Sequence, residues 1–138
     1  MFKGWGRPQG DGAAGPGPST KQIGDSAEDR ALAYLQQQGL RLVQRNYRLA
    51  AGPRQRGAEI DLILRDADGT LVFVEVRARR VASHGGAAAS VSVAKQRRIV
   101  RAAQHFLMGL DALPPCRFDV VAIEAEGLQW LPGAFGVG

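Results

Sequence analysis

Two apolar segments joined by a short polar turn constrain the fold of this chain more than any other feature. Residues 58–65 alternate apolar and polar side chains, as a β-strand does. The side chains that this alternation predicts on one face are Ile60, Leu62 and Leu64. The turn sequence Asp-Ala-Asp-Gly at residues 66–69 and the valine-rich residues 70–79 follow. Together they predict a hairpin whose second strand lies in the centre of a sheet.

Two amphipathic helices and three further strands complete the pattern. Ser26 or Asp25 can cap a first helix that begins near Gly24, runs to about Gln38 and is ended by Gly39. A second helix is predicted at about residues 93–109, strands at residues 40–49, 118–123 and 128–131, and a mobile loop at residues 82–92. The order α-β-β-β-α-β-β predicts the α/β class, with a small mixed β-sheet flanked by helices.

The length and composition indicate one domain without disulfide bonds. Residues 1–20 are rich in glycine and proline and predict a disordered arm, which leaves residues 21–138 as a single domain. Cys116 is the only cysteine, which excludes a disulfide framework and a cysteine-based zinc site. No segment approaches the roughly 18 apolar residues of a membrane span, and the N-terminus lacks a signal-peptide core. We therefore expect a cytoplasmic protein without a membrane partner.

The charge of the chain favours a polyanionic partner. Eighteen Lys and Arg residues against 13 Asp and Glu residues give a net charge of +5. Seven basic residues and no acidic residue lie between positions 77 and 110: Arg77, Arg79, Arg80, Lys95, Arg97, Arg98 and Arg101. Such a basic field attracts nucleic acid. Arg54 and Arg56, on a predicted loop, either contact the phosphate backbone or only keep that loop solvated.

Acidic side chains meet the basic field on the predicted hairpin. Residues two apart in a strand share a face. Glu59 and Asp61 are therefore predicted on one face of the first strand, and Glu75 and Arg77 on one face of the second. The hairpin then brings Asp61 close to Glu75. Two carboxylates in the middle of an apolar sheet need compensation, and a hard divalent cation such as Mg²⁺ provides it. The alternative is an ion-paired sheet edge, with Glu75 bound to Arg77 or Asp61 bound to Arg65.

Each predicted helix also carries one polar residue on its apolar stripe. Glu28 lies in line with the apolar residues of the first helix, and Gln96 with those of the second. Both side chains are therefore expected to point toward the sheet and to join a functional site. The alternative is a position in the first turn of a helix, where a glutamate suits the macrodipole and a glutamine reaches solvent. His105, on the second helix, is expected to be exposed.

Four ordered motifs carry a family resemblance over about residues 21–135. They are Gly24-Asp-Ser-Ala-Glu28, Glu59-Ile-Asp61-Leu-Ile, Val72-Phe-Val-Glu75-Val-Arg77-Ala-Arg79 and Lys95-Gln96-Arg97-Arg98. Cys116-Arg-Phe-Asp-Val-Val and the closing Trp130 and Ala134-Phe135 extend the match. The chain resembles the bacterial YraN family, which is similar to the archaeal Holliday-junction resolvases of the PD-(D/E)xK nuclease superfamily. The resemblance implies a restriction-endonuclease-like core.

The resemblance also implies residue roles and a cofactor. Asp61 and Glu75 would bind Mg²⁺ or Mn²⁺, with the carbonyl of Val76 as a further ligand. Glu28 would complete the site from the helix, and Gln96 would orient water or phosphate. The residues implied in catalysis are Glu28, Asp61, Glu75, Arg77 and Gln96. Those expected to contact nucleic acid are Arg54, Arg56, Arg79, Arg80, Lys95, Arg97, Arg98 and Arg101.

One departure from the superfamily motif leaves the function open. The last motif residue is usually lysine, whereas this chain has Arg77, which keeps its charge and is a poor proton acceptor. The first expectation is a Mg²⁺-dependent endonuclease acting on branched or flapped DNA in repair or recombination. A homodimer is a possible form of such an enzyme, because two symmetric strands of a junction must be cut. The second is a nucleic-acid-binding module of the same fold with weak or no turnover. The third is a scaffold protein of DNA uptake or repair with a vestigial site.

Overall fold

The computed structural model describes residues 20–78, 91–124 and 127–136. Residues 1–19 of the expected arm lie outside the described residues, as do residues 82–90 of the expected loop and both Arg79 and Arg80. The described chain forms two helices and five strands. They are α1 (Thr20–Gln37), β1 (Arg41–Leu49), β2 (Ala58–Arg65), β3 (Leu71–Ala78), α2 (Val93–Leu107), β4 (Cys116–Glu124) and β5 (Gly127–Phe135). The predicted order of elements is confirmed.

The five strands form one mixed sheet in the order β1-β2-β3-β4-β5. The pairs β1–β2, β2–β3 and β4–β5 are antiparallel, whereas β3 and β4 are parallel. A parallel neighbour requires a crossover, and α2 lies in the segment that joins β3 to β4. The valine-rich strand β3 is central, as its sequence predicted. The expected α/β class with a mixed sheet flanked by helices is confirmed.

Each face of the sheet is covered by one helix. On one face, Ala27, Ala31 and Leu35 of α1 pack on a buried cluster completed by Leu40, Leu62, Leu64, Val72, Val74, Val121 and Ile123. On the other face, α2 packs through its buried residues Ile99, Ala102 and Ala103. The predicted apolar stripes of both helices therefore pack against the sheet. None of the helices in the described parts of the chain is long and apolar enough to cross a membrane.

Three expectations about individual elements are wrong. Helix α1 begins at Thr20 rather than near Gly24, so Asp25 and Ser26 lie inside the helix and do not cap it. Strand β5 extends to Phe135, well beyond the short strand expected. Ile60 does not share a face with Leu62 and Leu64, because it packs on the α2 side of the sheet and they pack on the α1 side.

A buried aspartate fastens β4 to β5. The carboxylate of Asp119 is fully buried. It accepts hydrogen bonds from Trp130 Nε1 at 3.0 Å and from the Gly133 amide at 2.9 Å, both on β5. Arg117 Nε also donates to it at 3.0 Å, while Arg117 Nη1 donates to Asp66 in the β2–β3 turn at 3.0 Å. No role was assigned to Asp119 from the sequence. Its charge is compensated by three donors, as burial of a carboxylate requires.

Candidate functional site

The candidate site lies where β2 and β3 separate. Their paired register ends at Leu62 and Val74, one residue before Asp61 would face Glu75. Beyond this point the backbone of β3 is bound by a side chain of β2: Asp61 Oδ2 accepts a hydrogen bond from the Val76 amide at 2.8 Å. The alternation of β2 is interrupted at this same residue, which explains why Ile60 and Leu62 face opposite sides. Val76, expected as a ligand through its carbonyl, contacts Asp61 through its N–H.

The carboxyl groups of Asp61 and Glu75 line the same cleft and are close enough to influence each other's charge. Glu75 is only 3% exposed, although a carboxylate normally needs water. Burial is the main cause that raises the pKa of Asp61 to about 8, followed by the charge of Glu75. The Glu28 charge adds to this effect, and a hydrogen bond to the Glu75 side chain favours protonated Asp61. Burial and the neighbouring charges therefore favour the protonated form of Asp61.

Two cations compensate Glu75. Lys95 Nζ lies 2.8 Å from Glu75 Oε2, and Arg77 Nη1 lies 3.6 Å from the same oxygen. Lys95 is in the first turn of α2, whose N-cap Ser92 accepts a hydrogen bond from the Lys95 amide at 3.1 Å. The expected alternative of a Glu75–Arg77 ion pair is thus present. The other expected alternative was an ion pair between Asp61 and Arg65. Arg65 instead donates a hydrogen bond to the Gly69 carbonyl at 2.9 Å, at the turn end of β2.

Asn46 joins the two remaining acids of the site. Its backbone has a φ of +52°, a left-handed conformation that asparagine tolerates better than most residues. Its side-chain amide donates to Glu28 Oε1 and to Glu59 Oε2, both at 3.1 Å. Arg45 Nη2 lies 3.5 Å from Glu28, and Arg48 Nε lies 3.7 Å from Glu59. Burial raises the pKa of Glu28, while the hydrogen bond from Asn46 opposes that rise.

A polar cleft of about 450 Å³ opens beside the acids. We call it the acidic cleft. Its charged lining residues are Arg48, Glu59, Asp61, Glu75, Lys95 and Arg98, and its uncharged lining residues are Leu49, Ala50, Gly57, Ala58 and Ile99. Strands β1, β2 and β3 and helix α2 therefore all contribute to it. The charged part of this lining therefore consists of three acids and three cations.

The structure distributes the other expected site residues more widely. Gln96 Nε2 donates to the Val91 carbonyl at 2.9 Å, so its amide braces the start of α2. Arg98 lines the acidic cleft, whereas Arg97 is exposed. Arg54 and Arg56 are exposed on the loop before β2. Arg101 donates to the Arg56 carbonyl and ties that loop to α2.

Sequence reasoning missed two residues of the site and did not place a third beside Glu75. Arg48 lines the cleft, and Asn46 positions Glu28 and Glu59. Neither shows a signal in the sequence beyond being polar on a strand. Lys95, expected to contact nucleic acid, also forms an ion pair with Glu75, which was not anticipated from the sequence. One signal could have singled it out: the chain has only three lysines (Lys3, Lys21 and Lys95) against 15 arginines.

The acids fit a hard divalent cation such as Mg²⁺ or Mn²⁺. Such an ion takes one or two carboxylates and completes its shell with water and phosphate oxygens. Metal binding to carboxylates releases their protons, so a bound cation would favour the ionised form of Asp61, whose pKa is otherwise raised. Among residues 20–78, 91–124 and 127–136, no three acidic, histidine or cysteine side chains form a ready ligand cluster. The pair could therefore supply two protein ligands, and Glu28 is not gathered with them.

We expect the metal-free protein to lose stability as the pH rises. The pKa of Asp61 is raised from its usual 3.8 to about 8, so the folded protein binds more protons than the unfolded chain between these values. Stability should then fall between about pH 4 and pH 8, by at most about 1.4 kcal/mol per pH unit from this group. Urea denaturation with a chelator present would measure the trend. Asp61→Asn should flatten it, and an unchanged slope in that variant would contradict the assignment.

The fold and the site together define a small α/β protein with a carboxylate pair at the floor of a charged cleft. Comparison with known families then identifies the chain. It belongs to the uncharacterised protein family UPF0102, whose family model matches residues 27–123. That match contains the acids, Lys95 and Arg98. The resemblance to YraN proteins, drawn from the motifs, is confirmed at this level.

Three relatives illustrate the similarity. The chain is 68% identical over 117 residues to a UPF0102 protein of Methylibium petroleiphilum, covering 85% of this chain and 96% of the relative. It is 60% identical over 120 residues to a UPF0102 protein of Acidovorax sp., covering 87% and 89%. It is 58% identical over 125 residues to a UPF0102 protein of Cupriavidus metallidurans, covering 91% and 89%. These matches span most of each protein.

Proposed function

We propose that this protein binds DNA and cuts a phosphodiester bond with the help of a divalent metal ion. Branched or flapped DNA of repair or recombination is the proposed substrate, as the motif resemblance to Holliday-junction resolvases implies. One observation carries the proposal: Asp61 and Glu75 line one cleft together with three cations, at the point where the pairing of β2 and β3 ends. The cytoplasm is the proposed location, and cutting a symmetric four-way junction would require a homodimer.

The metal would be held by Asp61 and Glu75. Bound there, Mg²⁺ or Mn²⁺ supplies activation of water and stabilisation of the leaving oxygen. The Val76 N–H fixes the Asp61 carboxylate through the 2.8 Å hydrogen bond to Oδ2. Lys95 and Arg77 hold Glu75 from the other side. The ligand pair is therefore oriented before anything binds, which lowers the cost of binding.

The cations of the acidic cleft would bind the DNA backbone. Arg48 reaches the cleft from β1, and Arg98 and Lys95 reach it from α2. A guanidinium can hold a phosphate through two parallel hydrogen bonds, while an ammonium acts as a compact charge. Lys95 thereby supplies the amine that the superfamily motif places where this chain has Arg77. Because Lys95 and Arg77 both lie beside Glu75, the two side chains could act on the same phosphate.

A second candidate function is DNA binding without cleavage. The observation that favours it is the 2.8 Å contact between Lys95 and Glu75, with Arg77 close to the same oxygen. These cations already compensate the buried carboxylate, so the site does not require a metal for its stability. Such a protein would keep the charged cleft for the DNA backbone and leave the strand intact. Turnover separates the two functions.

A nicking assay tests the proposal. The purified full chain is incubated with labelled four-way junctions, flaps and duplexes in Mg²⁺, in Mn²⁺ and with a chelator. We expect nicks on a branched or flapped substrate with either metal and none with the chelator. Binding to these substrates without nicks in either metal would favour the second candidate. If neither binding nor nicking occurs at physiological salt, both candidates are wrong.

The position of Arg98 gives a prediction for binding. Arg98→Ala should lower DNA affinity alike for all sequences, and the slope of log affinity against log salt should become shallower by about 1 because one phosphate contact is lost. Fluorescence anisotropy at several salt concentrations measures both quantities. Arg97→Ala is the matched control, since Arg97 is exposed on the same helix and only Arg98 lines the cleft. Equal effects of the two substitutions would place the DNA elsewhere.

A further inference from the structure

A second cleft, of about 460 Å³, lies farther along the groove between β1 and α2. We call it the aromatic cleft. Its main lining residues are Gln44, Tyr47, His105, Phe106, Met108 and Leu110. None of the residues that line it carries a full positive charge as Lys or Arg, and none is acidic. It is therefore chemically different from the acidic cleft, and the proposed cleavage does not use it.

The aromatic side chains of this cleft are held in place. Tyr47 packs edge-to-face on Phe106, with ring centroids 5.3 Å apart and an angle of 88°. Its hydroxyl is hydrogen-bonded to Nδ1 of His105, and the two ring centroids are 6.1 Å apart. Phe106 in turn packs edge-to-face on the buried Phe73 at 6.1 Å. The rings are thus anchored to the core from behind, while His105 and Met108 remain exposed in front.

These walls suit a flat, uncharged, heteroaromatic ligand. Aromatic and thioether surfaces stack on such a ring, and the Gln44 amide and the Tyr47–His105 pair can hydrogen-bond to its edge. A phosphate would find no cation among the lining residues. An aliphatic chain would leave the polar groups without new partners. A nucleobase combines two apolar faces with a polar edge and meets both conditions.

The two clefts are continuous along the same pair of elements. Leu49 lines the acidic cleft and Tyr47 the aromatic one, two residues apart on the same face of β1. On α2, Ile99 lines the acidic cleft and Phe106 lines the aromatic one. These two residues are seven positions, or roughly 10 Å, apart. At about 3.4 Å per stacked nucleotide, this separation corresponds to about three nucleotides. A strand held in the acidic cleft can therefore reach the aromatic cleft.

We propose that the aromatic cleft binds one unpaired nucleobase of a single-stranded segment whose backbone lies in the acidic cleft. This inference rests on the proposed function, and it specifies the substrate as DNA with a single-stranded part. A base inside a duplex is stacked and paired and cannot enter such a cleft, whereas a flap or an opened branch presents free bases. The site reads no particular sequence, because every base has faces that stack.

The test compares a single-stranded oligothymidylate with an abasic strand of the same length and backbone. Wild type should bind the base-bearing strand about tenfold more tightly, which is within the range for stacking of one base. His105→Ala should reduce this preference, and Tyr47→Leu with His105→Ala should bring it close to one. Affinity for the abasic strand should not change in either variant. Gln104→Ala, an exposed neighbour outside the cleft, is the control.

The possible failures are distinguishable. Equal binding of both strands by wild type, or an unchanged preference in His105→Ala and in the double variant, would overturn the nucleobase site and leave the proposed function standing. If wild type binds neither strand nor branched DNA, the proposed function falls and this inference with it. Sedimentation of each variant adds one more outcome. Conversion of a dimer to a monomer without a change in base preference would make the cleft a contact between two copies.

Discussion

Replacing Glu75 with alanine should abolish metal-dependent nicking. Glu75 is one of the two acids that could hold the metal, and a bound metal contributes several kcal/mol of charge stabilisation in the transition state. Loss of about 4 kcal/mol corresponds to a rate lower by about 10³-fold. Asp61→Ala should have the same effect, because it removes the other ligand. DNA binding should remain or become tighter in both variants, since a negative charge beside the phosphate is lost.

A matched control and two further variants sharpen this experiment. Asp111→Ala removes an exposed acid outside the acidic cleft and should leave nicking unchanged. Arg77→Lys should preserve or raise activity, because it restores the superfamily residue and keeps the charge. Lys95→Ala should reduce activity by about 10²-fold if the amine stabilises developing charge. Persistence of full nicking in both Glu75→Ala and Asp61→Ala would show that the carboxylate pair is not the catalytic site.

Replacing Asp119 with alanine should destabilise the fold by about 3–5 kcal/mol, as removal of one partner from a buried charge pair does. The substitution leaves the Trp130 indole N–H and the Gly133 amide without their acceptor, and it frees Arg117 from one of its two acids. Urea denaturation monitored by tryptophan fluorescence measures the free energy of unfolding. Asp119→Asn keeps one acceptor and should lose less. A loss below about 1 kcal/mol in Asp119→Ala would mean that the β4–β5 pairing does not depend on this carboxylate.

The order of elements could be predicted because it depends on local chemistry. Gly39 has a φ of +99° and Gly69 a φ of +92°, so glycine at these two positions marks the end of α1 and the β2–β3 turn. The start of α1 could not be predicted from Gly24, since a glycine inside a helix costs about 1 kcal/mol and tertiary packing can outweigh it. Strand β5 runs through Pro132 to Phe135, because an edge strand tolerates proline.

The candidate site was predictable only in part. The approach of Asp61 to Glu75 follows from the hairpin, and it does not depend on the exact alternation of β2. The interruption of that alternation at Asp61 depends on the Val76 hydrogen bond, which no pattern in the sequence reveals. The same holds for Gln96: its position on the stripe was recognised, but its partner is the backbone of Val91. Spacing along the chain places a residue on a face, whereas the hydrogen-bond partner is set by three-dimensional contacts.

The double hydrogen bond of Asn46 also has a consequence for the ageing of the protein. Glycine and aspartate tolerate a left-handed backbone as asparagine does, but glycine has no donor and aspartate would add a third negative charge between Glu28 and Glu59. Asparagine is also a thermolabile residue. Deamidation at Asn46 would turn a bridge between α1 and β2 into a point of repulsion, so this form of chemical damage would act on the acidic side of the site.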